Sequence, residues 1–177
     1  MNKTAMDVEE LYRRYAAGER DFPGVDLSHA DLNIANVTYM EDLQPGQNEL
    51  SGINLSGANL TRANLSCVNL SGANLSSANL DSATLECTIL TGADLRKAIL
   101  DYAELVCNLI DVDLREASIF CTRLIGTDLT RANLMGATFQ VMTEEDGLIF
   151  CDTIMPDGTI NSKNWPERNK YSNRQRG

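Results

Sequence analysis

The sequence predicts an all-β solenoid. Leucine recurs at every fifth residue from Leu55 to Leu105, and a small residue stands two places before nearly every leucine. An α-helix repeats at about 3.6 residues and a flat strand at about 2, so neither explains this period. Each group of five residues must therefore be one geometric unit of a repeat architecture. Aromatic residues make up only 6% of the chain, which suits a core of stacked leucine and alanine.

The repeat is predicted to span residues 22–140, with two breaks in register. It begins at Phe22 and continues through Leu27, Leu32 and Val37. Residues 43–49 contain a Pro-Gly turn signal and are predicted to form a loop extruded from one coil. The period resumes at Leu50, and after Leu105 it slips by one residue, so that the next centres run from Leu109 to Phe139.

Both ends of the repeat carry segments of different character. Within residues 1–21, positions 7–18 have the spacing of an amphipathic capping helix, with Asp7 as N-cap, Glu10 as its capping-box partner and Gly18 at the stop. Residues 141–160 contain a Pro-Asp-Gly turn between apolar residues and are predicted to form a C-terminal turn or hairpin cap. Residues 161–177 are a polar tail, and the sequence does not decide whether it is ordered.

The individual units resemble the pentapeptide-repeat family, whose pattern is A-(D/N)-L-X-X. Residues 58–62, 63–67 and 73–77 read ANLTR, ANLSC and ANLSS. Residues 14–22 and 155–158 also resemble cyanobacterial-type members of the family. The resemblance implies a right-handed quadrilateral β-helix with four pentapeptides in each square coil, hence about six coils here. The asparagines at 54, 59, 64, 69, 74 and 79 are expected at the corners, because short amides bond nearby backbone.

The sequence gives little support to catalysis. His29 is the single histidine, and its register predicts an outward, exposed side chain. We find no phosphate-binding loop, nucleophile elbow or metal-spaced Cys/His cluster, so no enzyme activity, cofactor or metal is expected. No apolar run suggests a signal peptide or a membrane span, so a cytoplasmic protein with reduced cysteines is predicted. The net charge of −10 disfavours direct nucleic-acid binding.

The cysteines and the outward apolar residues supply the candidate sites. Cys67, Cys87 and Cys107 are 20 residues apart and are predicted to stack as a thiol ladder outside the core. The sequence leaves open whether Cys151 bridges back to Cys121 in an oxidising compartment. Stacking the sequence in twenties collects outward apolar residues on two adjoining faces, and a second group, Ile99, Tyr102 and Phe120, on another. The predicted interaction patch on the adjoining faces consists of Cys87, Ile89, Val106, Cys107, Ile110 and Ile125.

Three functions follow from these observations. The first is a non-enzymatic protein-interaction or regulatory scaffold, a monomer or weak oligomer with an unknown protein partner; family members include a regulator of heterocyst differentiation. The alternative is a DNA mimic that binds a topoisomerase such as gyrase, as some family members do. Residues 22–140 contain 14 acidic and 6 basic residues, but only Asp81 and Asp101 form a clear stacked acidic pair. An ice- or surface-ordering face is a third possibility, although Ile110 interrupts the column of Ser51, Ser71 and Thr91.

Overall fold

The computed structural model describes residues 5–36, 38, 39, 42, 44, 46–141 and 147–162. Helix α1 (Val8–Ala16) comes first, followed much later by strands β1 (Ser118–Thr122), β2 (Thr138–Val141), β3 (Thr153–Ile154) and β4 (Ile160–Asn161). Strands β1 and β2 pair in parallel, and β3 and β4 form an antiparallel pair. The long segment between α1 and β1 is held together by single-residue parallel bridges instead of long strands.

Each coil of the repeat contains four pentapeptides and pairs with the next coil along its whole circumference. Bridges join residues 20 apart, such as Asn54 with Asn74 and Asn59 with Asn79. The backbone N–H of Leu55 donates to the carbonyl of Asn74 at 2.8 Å, and the next unit repeats this bond one side further round. The coils are therefore stacked in register, and the chain bends once in every five residues.

The stacking defines four faces, which we number by their inward side chains. Face 1 contains Leu50, Leu70, Leu90, Leu109 and Leu129, and face 2 contains Leu55, Leu75, Leu95, Leu114 and Leu134. Face 3 contains Leu60, Leu80, Leu100, Ile119 and Phe139, and face 4 contains Leu65, Leu85, Leu105 and Leu124. Except after Leu105 and Phe139, the residue two places after each of these side chains has a positive φ and marks the corner that leads to the next face.

The interior is filled by the leucine columns and the small columns beside them. The central side chains from Leu50 to Leu134 are at most 1% exposed, which confirms the predicted core. Threonine replaces alanine at several small positions and satisfies its hydroxyl on the backbone. Thr88 Oγ1 donates to the carbonyl of Leu65 at 2.8 Å, and Thr122 Oγ1 donates to that of Leu100 at 2.7 Å. A buried hydroxyl is tolerated because it has a partner in the preceding coil.

The asparagine column does not lie at the corners as predicted. Asn74 and its equivalents lie at the bridge positions in the middle of the faces, one residue before the inward leucine. The side chain nevertheless stabilises the turn, because Asn74 Oδ1 accepts from the backbone N–H of Ser76 at 3.0 Å and from its hydroxyl at 2.7 Å. The asparagines bond nearby backbone as expected, but their predicted location at the corners is wrong, because a short amide reaches the turn from two residues upstream.

An insertion separates the first coil from the second. Bridges there join residues 33 apart, such as Asp21 with Asn54, instead of 20. Several residues of the segment, including Val37 and Leu43, lie outside the described residues. Asn48 is buried in the small column of face 1 and Glu49 bridges Asn69, so the end of the loop predicted at 43–49 already belongs to the next coil.

The second register slip and the end of the repeat are also visible. Ile89 bridges Asn108, 19 residues away, which confirms the deletion of one residue after Leu105. Beyond Phe139 the core columns continue, since Phe150 and Met155 are buried beneath Leu129 and Leu134. The polar tail lies outside the described residues from position 163 onward.

Helix α1 packs against the open end of the first coils. Asp7 is its N-cap and accepts from the backbone N–H of Glu9 at 2.9 Å. The predicted capping-box partner Glu10 instead pairs with Arg13. Leu11 is fully buried, and the hydroxyl of Tyr12 donates to the carbonyl of Leu32 at 2.8 Å. The apolar side of the helix therefore faces the core of the solenoid.

Candidate interaction surface

The predicted interaction patch wraps the corner between faces 4 and 1. We call it the corner patch. Cys87 and Cys107 lie at the corner, Val106 and Ile125 lie on face 4, and Ile89 and Ile110 lie on face 1. The coil register brings these side chains to adjoining outward positions, because residues 19 or 20 apart in sequence stack on one another. Sequence spacing thus places the six residues on the same edge of the rod.

The side chains of the corner patch differ in exposure. Ile125 is 40% exposed, whereas Ile89, Val106 and Ile110 are half-buried. Cys107 is only 9% exposed and belongs to the core. The accessible part of the patch is therefore aliphatic, with the Cys107 thiol lying beneath it.

The prediction of a thiol ladder outside the core is wrong for two of its three members. Cys107 occupies a shortened corner, where a single residue serves both as the end of one unit and as the small residue of the next, so it turns inward. Burial raises the pKa of its thiol. Cys67 is fully buried, and Asn48, at the end of the insertion, lies next to it and donates from Nδ2 to the Cys67 carbonyl at 3.3 Å. Only Cys87 is half-exposed.

The pairing considered between Cys121 and Cys151 is not formed. Both thiols are free and half-buried. Cys121 ends face 3, since it follows Ile119, whereas Cys151 follows Phe150 at the end of face 1. Cys121 is at a corner and Cys151 lies one residue before a different corner, so the two side chains are on different sides of the coil and a disulfide between them would require the coil to open.

Ion pairs interrupt the acidic surface on face 2. Arg96 Nη2 lies 2.6 Å from Asp94 Oδ2, and Arg115 Nη2 lies 2.6 Å from Asp113 Oδ2. Arg96 Nε is also 3.9 Å from Asp113, so the four side chains form one network across two coils. The hydrogen bonds from Arg96 hold the pKa of Asp94 below its usual range.

Two further ion pairs flank the corner patch. Arg131 reaches Asp111 at 2.6 Å beyond Ile110, and Arg123 reaches Glu104 at 3.5 Å beside Val106. These two carboxylates are therefore matched by arginines, whereas the exposed Glu86, which stacks on Val106 in the same column, forms no ion pair among the described residues. The patch is an apolar strip whose rim is partly neutralised.

The second apolar group predicted from the sequence lies on face 3. We call Ile99, Tyr102 and Phe120 the face 3 cluster. The rings of Tyr102 and Phe120 meet edge to face with centroids 5.8 Å apart. Ile99 bridges Ser118 and presents its side chain outward on the same face. The two apolar surfaces are distinct, because they lie on different faces of the coil.

Neither a metal site nor a membrane-spanning helix is found in the described part of the chain. His29 is exposed at a corner position with a φ of 59°, as the register predicts. No group of three or more His, Cys, Asp or Glu side chains among the described residues has the geometry to hold a metal ion. No described helix combines the length and the apolar character needed to cross a bilayer.

A polar pair at the root of the insertion was not anticipated from the sequence. Asn48 Nδ2 donates to Asn33 Oδ1 at 2.7 Å, and both side chains are buried. The sequence did contain an indication that Asn48 is buried, since Asn48 stands two residues before Leu50 in a column that otherwise contains small or apolar residues. Its burial depends on where the insertion re-enters the coil, which spacing alone does not give.

Comparison with known proteins identifies the repeat. The sequence pattern of pentapeptide repeats matches in eight copies, over residues 49–81, 73–106 and 107–140. These segments cover more than half of the chain. The chain belongs to the pentapeptide repeat family. Pentapeptide repeats form a right-handed quadrilateral β-helix, and the four-sided coil of this pentapeptide repeat protein is that fold. No curated protein sequence matches significantly.

Solved structures of other pentapeptide repeat proteins resemble it. A trypsin-treated form of QnrB1, described as a plasmid-mediated fluoroquinolone resistance protein, has a TM-score of 0.55 and 21% identity, covering 76% of this chain and 60% of its own. The chain thus spans about three fifths of the QnrB1 chain. The protein alr5209 from Nostoc PCC 7120 is 30% identical, with 84% and 98% coverage and a TM-score of 0.40. HetL from Nostoc sp. PCC 7120, described as involved in heterocyst differentiation regulation, is 23% identical, with 88% and 100% coverage and a TM-score of 0.30.

Proposed function

We propose that this pentapeptide repeat protein is a non-enzymatic interaction scaffold that binds a protein partner through the corner patch. The observation that carries the proposal is a change of residue type within outward columns. Ile89 stands between Asn69 and Asn108 in one column of face 1, and Ile110 stands between Thr91 and Thr130 in the next. Asparagine and threonine at these positions support turns, whereas isoleucine there cannot do so and adds partly exposed apolar surface. Such surface is typical of a contact site.

The ends of the rod support a discrete scaffold of about six coils. The ends of a solenoid expose unpaired backbone groups and apolar core side chains to solvent unless they are covered. Helix α1 buries Leu11 and Tyr15 at one end, with the Tyr15 hydroxyl 2.7 Å from the carbonyl of Ser51. At the other end the hairpin of β3 and β4 comes after the buried Phe150 and contains the buried Met155 between its two strands. We therefore propose that both ends carry capping segments and that the protein is a monomer or a weak oligomer. We also propose that it is located in the cytoplasm and that it is a cyanobacterial-type member of the family.

The test is a triple substitution of the corner patch, Ile89→Ser, Ile110→Ser and Ile125→Ser. Affinity purification with cross-linking from the native cell, together with size-exclusion profiles, compares this variant with the wild type. The matched control, Met135→Ser with Ile160→Ser, makes the same chemical change at exposed positions outside the patch. We expect the triple variant to lose its cross-linked partner while circular dichroism shows an intact fold. An unchanged partner or oligomer profile would remove the proposal.

The second candidate is a DNA mimic that binds a topoisomerase such as gyrase. A net charge of −10 and a fold shared with QnrB1 favour it. A mimic requires continuous acidic columns at the spacing of phosphates, and the arginines that pair with Asp94, Asp111 and Asp113 interrupt such columns. A gyrase supercoiling assay separates the two candidates, because a mimic inhibits supercoiling or protects the enzyme from a quinolone and the scaffold does neither.

A further inference from the structure

The face 3 cluster contains an aromatic residue in an unfavourable backbone conformation. Tyr102 has a φ of 59°, and its ring is 54% exposed. The equivalent corner residue one coil earlier is Ser82, which has nearly the same φ. A bulky residue in the left-handed region costs about 1–2 kcal/mol, and a half-exposed ring recovers little of that cost by burial. The left-handed conformation belongs to the corner itself, since Arg62, Ser82 and other corner residues share it, but an exposed aromatic ring at such a position is a reason to look for a binding role.

Two stacked carboxylates adjoin these rings. Asp81 and Asp101 occupy successive positions of the column that continues downward into Phe120. Coils stack at about 4.8 Å, so the two carboxylates and the Phe120 ring form one ladder. The Asp101 carboxylate accepts from Ser118 Oγ at 2.7 Å and from the backbone N–H of Phe120 at 3.1 Å, which fixes its orientation.

These carboxylates differ from those on face 2 in forming no ion pair within the described residues. Among the described residues, the ion pairs of the repeat involve Asp94, Asp111, Asp113, Glu104 and Glu116, and none involves Asp81 or Asp101. Face 3 thus offers uncompensated negative charge directly beside exposed aromatic and aliphatic side chains. Beside the corner patch, two of the carboxylates, Glu104 and Asp111, are paired with arginines, and the unpaired Glu86 has no second carboxylate stacked on it.

We propose that the face 3 surface, formed by Asp81, Asp101 and the face 3 cluster, binds a protein segment that places an arginine or lysine next to an aliphatic or aromatic side chain. The cation bonds the stacked carboxylates and lies over the exposed face of Tyr102. The neighbouring apolar side chain packs on Ile99 and Phe120. This surface is independent of the corner patch and gives the scaffold a second contact with a defined partner chemistry.

The test uses a phage-displayed library of random dodecapeptides, selected on the full-length wild-type protein. Peptides that also bind the variant Tyr102→Ser with Phe120→Ser are removed by counter-selection. We expect the surviving peptides to share a basic residue beside an apolar one. A synthetic peptide of that sequence then serves as the probe, and its dissociation constant is measured by fluorescence anisotropy at low and high salt.

The expected changes in affinity separate charge from packing. The double variant Asp81→Asn with Asp101→Asn raises the dissociation constant of the peptide about three- to tenfold, because each exposed charge pair contributes modestly to affinity. The loss of affinity is smaller at high salt because ions screen the charge pair. Tyr102→Phe retains binding, since it keeps the ring face. The corner-patch triple variant also retains binding, so this experiment fails or succeeds independently of the proposed function. Selection of no specific peptide, selection of peptides without a basic residue, or affinity unchanged by the aspartate substitutions would overturn the proposal.

Discussion

Asn48 is a carboxamide in a core column that otherwise contains apolar or hydroxyl-bearing side chains. It is fully buried and uses both ends of its amide. Its Nδ2 donates to Asn33 Oδ1 at 2.7 Å and to the Cys67 carbonyl at 3.3 Å, and its Oδ1 accepts from the backbone N–H of Ala35 at 3.1 Å. These three contacts join the two ends of the insertion to each other and to the coil below. We therefore predict that Asn48→Val destabilises the protein.

The size of the effect follows from the groups left behind. Valine fills the site, as Val68 does in the same column one coil later, so little of the loss comes from a cavity. The substitution removes the hydrogen bonds that Asn48 makes with the Ala35 N–H, the Asn33 side chain and the Cys67 carbonyl, and losing one partner of a buried hydrogen bond costs about 1–3 kcal/mol. We expect a loss of about 2–4 kcal/mol in the free energy of unfolding.

The assay is urea unfolding followed by circular dichroism, together with limited chymotrypsin digestion at the exposed Tyr39. The control Asn79→Ala removes a half-buried amide that accepts one backbone N–H, from Asp81 at 3.0 Å, and should cost only about 1 kcal/mol. The variant Asn48→Val should also be cut at Tyr39 faster than the wild type under native conditions, because the insertion has lost its anchor.

A double-mutant cycle with Asn33→Ala provides the refutation. Because the two amides share one hydrogen bond, the double variant should be more stable than the sum of the single losses predicts, by about 1 kcal/mol. A stability loss below about 0.5 kcal/mol for Asn48→Val, or strict additivity, would show that the buried amide pair does not hold the insertion.

Three further predictions rest on single features of the core and surface. Thr88→Val keeps the shape of the side chain but removes a hydroxyl that donates to a backbone carbonyl in the preceding coil, so the urea midpoint should fall by the equivalent of about 1 kcal/mol; an unchanged midpoint would contradict this. Iodoacetamide at pH 8 should alkylate Cys87 well before Cys107, because Cys107 is buried and its pKa is raised; equal rates by mass spectrometry would refute it. Arg96 lowers the pKa of Asp94 in the folded protein. The contribution of the Asp94 carboxylate to folding stability is therefore complete above its unfolded pKa of about 4 and is lost as the pH falls through the lower folded pKa. Urea midpoints measured from pH 7 to 2 should therefore fall less steeply in acid for Asp94→Asn.

The candidate surfaces could be located from the sequence because the coil length is nearly constant. Ile89 and Ile110 fall on one face, and Val106 and Ile125 on the next, once residues are stacked in twenties with one deletion. The same spacing did not predict which charged side chains lie beside the two candidate surfaces. Arginines from the neighbouring coil pair with Glu104 and Asp111 beside the corner patch, while Asp101 beside Phe120 forms no ion pair, and both facts depend on side-chain reach between coils.

Residues near the breaks in register were the hardest to assign. The pair Phe150 and Met155 continues the core columns although the intervening segment interrupts the period. The five-residue spacing from Phe150 to Met155, each with an inward residue two places earlier, could have indicated this. One pair of units is a weak signal, and only the pairing of Asp128 with Ile149 establishes where the chain rejoins the coil.

The period of five by itself determined the interior of this protein, because a chain that bends at every fifth residue must turn its leucines and its small side chains inward, whatever lies outside. Tertiary structure alone decided which outward positions are covered. Cys67 is buried and Cys87 is not, although both stand at the same corner and both have a φ of 57°. The insertion re-enters the coil beside Cys67 and not beside Cys87, and contacts between residues 13 or 19 positions apart cannot be deduced from the local pattern of either segment.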